Sequence, residues 1–70
     1  MTSDEQLQIE FAKMLNKDKE LRAALTESIR RKKRGFIGNL ISDLSKFLFG
    51  SVVQSLVDRT IDKIISWFSE

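Results

Sequence analysis

Five consecutive cations, Arg30, Arg31, Lys32, Lys33 and Arg34, form the densest charge in the chain and end at Gly35. Adjacent like charges raise the local potential and attract phosphate or carboxylate groups. Three active readings fit the run: a phosphate clamp on nucleic acid, a pull toward an anionic membrane surface, and a nuclear-import or convertase-type signal. The plain alternative is a solvated helix end whose cations complement the helix dipole. Base reading would need polar or aromatic residues interleaved on the same face, and none is interleaved here.

A second pattern is Asp58 and Asp62, four apart on one helix face, with Arg59 and Lys63 alternating. Paired carboxylates can hold magnesium or share acid and base roles. The adjacent opposite charges and the lack of a glycine-rich phosphate loop instead favour a solvated, salt-bridged face. The chain contains no histidine and no cysteine. The usual general base, thiol nucleophile and transition-metal ligands are therefore missing. The expectation is a non-enzymatic protein without metal or cofactor.

The elements that carry these residues are read from breakers and periodicity. Pro is absent and the 3 glycines all fall between residues 35 and 50, so the rest of the chain can be helical. The N-terminal part, 1–35, holds nine basic and six acidic residues; the C-terminal part, 36–70, holds three and four. Ser3 with Gln6 reads as a capping box that starts a helix near Asp4. Leu7, Phe11, Met14, Leu21 and Leu25 then recur at spacings of four and three. Asp18 interrupts that seam, either as the cap of a second helix after Asn16 or as a tolerated polar residue in one long helix. A break is the favoured reading. Gly35 is placed as the left-handed residue that ends the basic helix.

Beyond Gly35, Phe36, Ile37, Leu40, Ile41, Leu44, Phe47 and Leu48 fall within about 140° of arc at 100° per residue, which predicts an amphipathic helix from Phe36, or from Leu40 if Asn39 caps it. The phase slips at Phe49-Gly50-Ser51, where Gly50 can end a helix and Ser51 with Gln54 forms another capping box. The segment 36–70 is thus a helical hairpin, 36–49 and 52–69. Phe49 lies outside the apolar arc, which places it at an exposed hairpin tip, and Asp43 with Lys46 reads as an i,i+3 pair.

The last helix spreads Val53, Leu56, Val57, Ile61, Ile64, Ile65, Trp67 and Phe68 over about 180°, wider than the roughly 100° that one neighbouring helix covers. An 8.1 kDa chain of 70 residues has little core of its own. The expectation is therefore an all-α bundle of three or four helices completed by homo-oligomerisation. Phe49, Val53, Val57, Ile61, Ile64, Trp67 and Phe68 are the candidate partner or self-association face.

The functional expectation is a small protein-binding module, a regulator, inhibitor or assembly factor that presents helix faces. A membrane-active amphipathic peptide is the first alternative, and a nucleic-acid-binding protein using residues 30–34 the second. With an acidic N-terminus and no long apolar segment, neither a secretory signal nor a spanning helix is expected, so the predicted setting is cytoplasmic, with peripheral membrane association as a further option. The segment Leu44-Ser45-Lys46-Phe47 after a basic stretch resembles the lysis peptides of small RNA phages. Those peptides carry a continuous apolar tail, which Asp43, Asp58, Arg59, Asp62 and Lys63 interrupt here, so no function follows from the resemblance.

Overall fold

Two side-chain caps organise the N-terminal half. Thr2 Oγ1 accepts from the Glu5 amide at 3.2 Å and donates to Glu5 Oε1 at 3.1 Å, so α1 (Ser3–Lys17) starts from Thr2. The Ser3–Gln6 box is thereby corrected: Thr2-x-x-Glu5 overlaps it in sequence and takes the cap. Asp18 has extended backbone and its Oδ1 accepts from the Leu21 amide at 3.0 Å. It ends α1 and caps α2 (Lys19–Arg30), which resolves the seam interruption as a true break. Two further helices follow, α3 (Arg34–Phe49) and α4 (Gln54–Phe68). This computed structural model describes residues 2–69; Met1 and Glu70 lie outside the described residues.

Two expected boundaries differ. Gly35 does not end the basic helix; it sits in the first turn of α3, and neither Phe36 nor Asn39 opens that helix. The Ser51–Gln54 box does not form either. Val53 caps α4 without a side-chain bond, the Ser51 carbonyl accepts from Ser45 Oγ at 2.9 Å, and the Gln54 side chain donates to Asp58. Gly50, by contrast, ends α3 as its phase predicts, with φ 76° and its amide on the Lys46 carbonyl at 2.8 Å.

The helices run in a definite order. Helices α3 and α4 are antiparallel, tied by Arg34 Nη2 to Asp62 Oδ1 at 2.9 Å near one end and by the Ser45–Ser51 bond at the turn. Helix α1 runs parallel to α4: Asp4 pairs with Arg59 at 2.9 Å, and Leu15 and Asn16 line a small cavity with Trp67 and Phe68. Helix α2 returns the chain from that end to the start of α3.

All four helices feed one core of Leu7, Phe11, Leu15, Leu25, Ile37, Ile41, Leu56, Val57, Ile61 and Ile64. Val57, Ile61 and Ile64 are 1%, 6% and 0% exposed within the single chain. The premise that these residues would lie bare without a second copy is therefore corrected: the other helices of the same chain cover Val57, Ile61 and Ile64. The radius of gyration, 11.3 Å, agrees with the ~11 Å of a compact domain of this length.

Helix α3 buries a different face from the one its hydrophobicity selects. The buried row is Ile37, Ile41 and Ser45 and continues to half-buried Phe49, each four residues from the last. Ser45 is wholly buried because its hydroxyl is spent on the Ser51 carbonyl. The helix is thus rotated by roughly 80° from its apolar arc at about 100° per residue. The rotation turns Phe49 inward and leaves Phe47 84% exposed, the reverse of their expected roles.

The glycines yield substitutions of opposite sign. An alanine Cβ at Gly50 would meet nothing within 4 Å, so Gly50→Ala should cost about 1–2 kcal/mol through its positive φ alone. At Gly38, inside α3, the same Cβ would sit 3.5 Å from Ile61 Cδ1, an ordinary contact. Gly38→Ala should therefore gain about 0.5–1 kcal/mol of helix propensity. Thermal unfolding of both variants reads the two signs directly.

Candidate binding site at the α2–α3 loop

The basic run does not project as five free charges. Glu27, one turn before it, accepts from Arg30 Nη2 at 2.6 Å and Nε at 3.1 Å and from Arg31 Nε at 2.7 Å. The Arg30 hydrogen bonds, followed by that from Arg31, hold the Glu27 carboxyl below the usual carboxylate range, and Glu27 in turn raises the Arg30 guanidinium. Arg34 is taken by Asp62 across the hairpin. Among the described residues, Lys32 and Lys33 hold no ion pair.

A lowered folded pKa stabilises above the unfolded carboxyl value and is lost as pH falls through the lower one. Glu27→Gln should therefore lower the thermal midpoint slightly near pH 7, and the difference should vanish once both forms are neutral on the acid side of the carboxylate range. Temperature scans across pH check this.

The loop backbone is closed by a Schellman motif. The Lys33 amide donates to the Ser28 carbonyl at 2.8 Å and the Lys32 amide to the Ile29 carbonyl at 3.0 Å. The left-handed position belongs to Lys32, φ 59°, and not to Gly35. A lysine there carries a backbone cost that glycine avoids, on the order of 1 kcal/mol. Lys32→Gly should accordingly raise stability by about 1 kcal/mol and the melting temperature by roughly 4–8 °C, readable by circular dichroism.

Lys32, Lys33 and Arg34 edge a cavity of about 280 Å³ whose inner wall is Ile29, Ile37 and Ile65, with Ser28 at its side. Ile37 is 1% exposed, whereas the three cations face water. Apolar wall and cationic rim come from the end of α2, the start of α3 and the last turns of α4. No periodicity within one helix joins these residues. Ile37 and Ile65 read in the sequence as members of ordinary apolar arcs, Ile29 belongs to neither, and no local signal links the three.

The expected association face is divided by the fold. Val57, Ile61 and Ile64 are core, Phe49 and Phe68 are half-buried, and Val53 and Trp67 remain 44% and 40% exposed. Trp67 lines the smaller cavity with Ala12 and Arg22. Phe47, absent from that expected face, forms the α3–α4 tip with exposed Val52 and Val53. Asp58 and Asp62 point to separate partners, Gln54 and Arg34, and among the described residues no group of three acidic side chains converges on a point. Asp43 and Lys46 form no ion pair among the described residues. Among the described residues no helix is long and apolar enough to cross a membrane. Comparison with protein-family models, curated proteins and solved structures found no match.

Proposed function

We propose that this chain is a small non-enzymatic binding module that captures another protein at the α2–α3 loop. The observation that carries the reading is the pairing of two uncommitted lysines, one of them held at positive φ, with an apolar cavity directly beneath them. A cavity of this kind takes an anchoring side chain, and a charged rim orients the segment that bears it. Ser28 is the one hydroxyl in the cavity wall, and among the described residues no lysine or carboxylate hydrogen-bonds to it as a base would, so the chemistry favours binding over turnover.

The competing surfaces are less well matched to the exposed groups. Arginine is the side chain that grips phosphates and guanines bidentately, and Arg30 and Arg31 share the Glu27 carboxylate, which leaves Arg34, by exchange with Asp62, as the one arginine of the run open to an incoming anion. For a membrane, the exposed edge of α3 aligns Phe36 and Phe47 with Leu40, but Asp43 stands on that same edge and opposes anionic lipid.

The test is selection of short random peptides displayed on phage, followed by mapping of the binders through backbone amide shifts. Binders should perturb Ile29, Lys32, Lys33 and Ile37, and should lose affinity for a Ser28→Trp variant whose indole fills the cavity. A Lys32→Glu, Lys33→Glu double variant, altered only at exposed positions, serves where Ser28→Trp compromises folding. Binders that map to Phe47 and Val53, or that ignore both variants, would overturn the reading.

A further inference from the structure

We infer that the occupant of the α2–α3 cavity is an acidic segment of a partner protein that carries one bulky apolar side chain. This rests on the protein-binding reading and names its partner's chemistry. The apolar side chain packs against Ile29, Ile37 and Ile65, and carboxylates on either side of it meet Lys32 and Lys33.

Size, charge type and charge placement argue together. At about 280 Å³ the cavity lies just below the roughly 300–1,000 Å³ of sites that enclose a whole small molecule. It suits a single side chain better than a full acyl chain or a fused ring system. The free cations are lysines, compact and strongly hydrated point charges, which pair with a single anionic oxygen without a bidentate fork. Two lysines adjacent in sequence, one of them left-handed, stand at the cavity mouth, so that an anchor held in the cavity presents its flanking carboxylates to both.

Arg34 adds a modulating group. It edges the same cavity, and its present partner Asp62 is 71% exposed, so the pair is weak and open to exchange. An incoming carboxylate competes with Asp62 for the guanidinium. Removing Asp62 should therefore strengthen binding, a sign that a generic loss of fold would not produce.

The probes are acetyl-Glu-Asp-Leu-Glu-Asp-amide, the same peptide with lysine at the four acidic positions, the acidic peptide with alanine for leucine, and vesicles of phosphatidylcholine with phosphatidylglycerol. Amide shifts at Ile29, Lys32, Lys33 and Ile37 report occupancy. The acidic leucine peptide should bind there, more weakly as salt rises, and the alanine peptide should lose most of the affinity. Lys32→Glu and Lys33→Glu should each weaken binding by about fivefold to tenfold, and Asp62→Asn should tighten it by about twofold to fivefold. Equal binding of the lysine peptide at the same residues would overturn the acidic partner while leaving a protein-binding cavity standing. Vesicle binding through these residues with no peptide of either sign engaged would overturn both and assign the loop to a lipid surface.

Discussion

Phe11→Ala should leave the chain largely unfolded at 25 °C. Phe11 is the largest of the fully buried side chains, 0% exposed and surrounded by a core drawn from all four helices. Truncating a buried phenylalanine costs about 3–5 kcal/mol from lost transfer energy and the cavity left behind. A domain of this size rarely holds more than about 3–5 kcal/mol in total, so one substitution removes the margin. Phe47→Ser is the internal control. Phe47 is 84% exposed, and its removal should leave the unfolding midpoint within the small scatter typical of surface changes. Urea titration of both variants, followed by helical ellipticity, separates the two phenylalanines; equal losses would place Phe47 in the core and contradict the rotation of α3.

That pair of residues also shows where the sequence is transparent and where it is not. Leu7, Phe11, Leu25 and the break at Asp18 are legible because spacing and capping chemistry act within a few residues, and the chain honours them. The turn at Gly50 is legible for the same reason. The face of α3 is not, because Ser45, which no hydrophobicity count would bury, tolerates burial through a hydroxyl bonded to a carbonyl. That carbonyl, Ser51's, lies beyond the turn, where no hydrophobicity count includes it. Likewise Leu15, outside the expected seam, enters the core beside half-buried Met14 as α1 closes on the end of α4. The five cations are visible as a run, but their division into three committed arginines and two uncommitted lysines depends on Glu27 and Asp62, the second 28 residues from its partner Arg34. Short-range rules recover elements and ends; the cavity at the α2–α3 loop is made by three helices and appears only when they meet.

Ile61→Asp should unfold the protein outright, with no folded, dissociated subunit as an alternative product. Ile61 is 6% exposed, and its Cδ1 would lie 3.5 Å from a Cβ added to Gly38, so α3 backs directly onto the side chain and leaves no route for water to reach a carboxylate there. Arg34 and Arg59 already pair with Asp62 and Asp4. An uncompensated buried charge costs several kcal/mol, comparable with the whole stability of so small a domain. The breadth of the apolar arc on α4, read alone, would place Ile61 at a contact between copies, and the two placements lead to different measurements. With Ile61 in the core of one chain, the Asp variant loses its helical ellipticity at every protein concentration. At a contact between copies, the Asp variant would keep its helices at reduced mass, and the unmodified chain would melt higher as its concentration rose, by mass action. The second outcome would mean that α1, α2 and α3 leave Ile61 accessible in the isolated chain, against the burial found for it, and that the unpaired breadth of α4 is the surface on which the protein assembles.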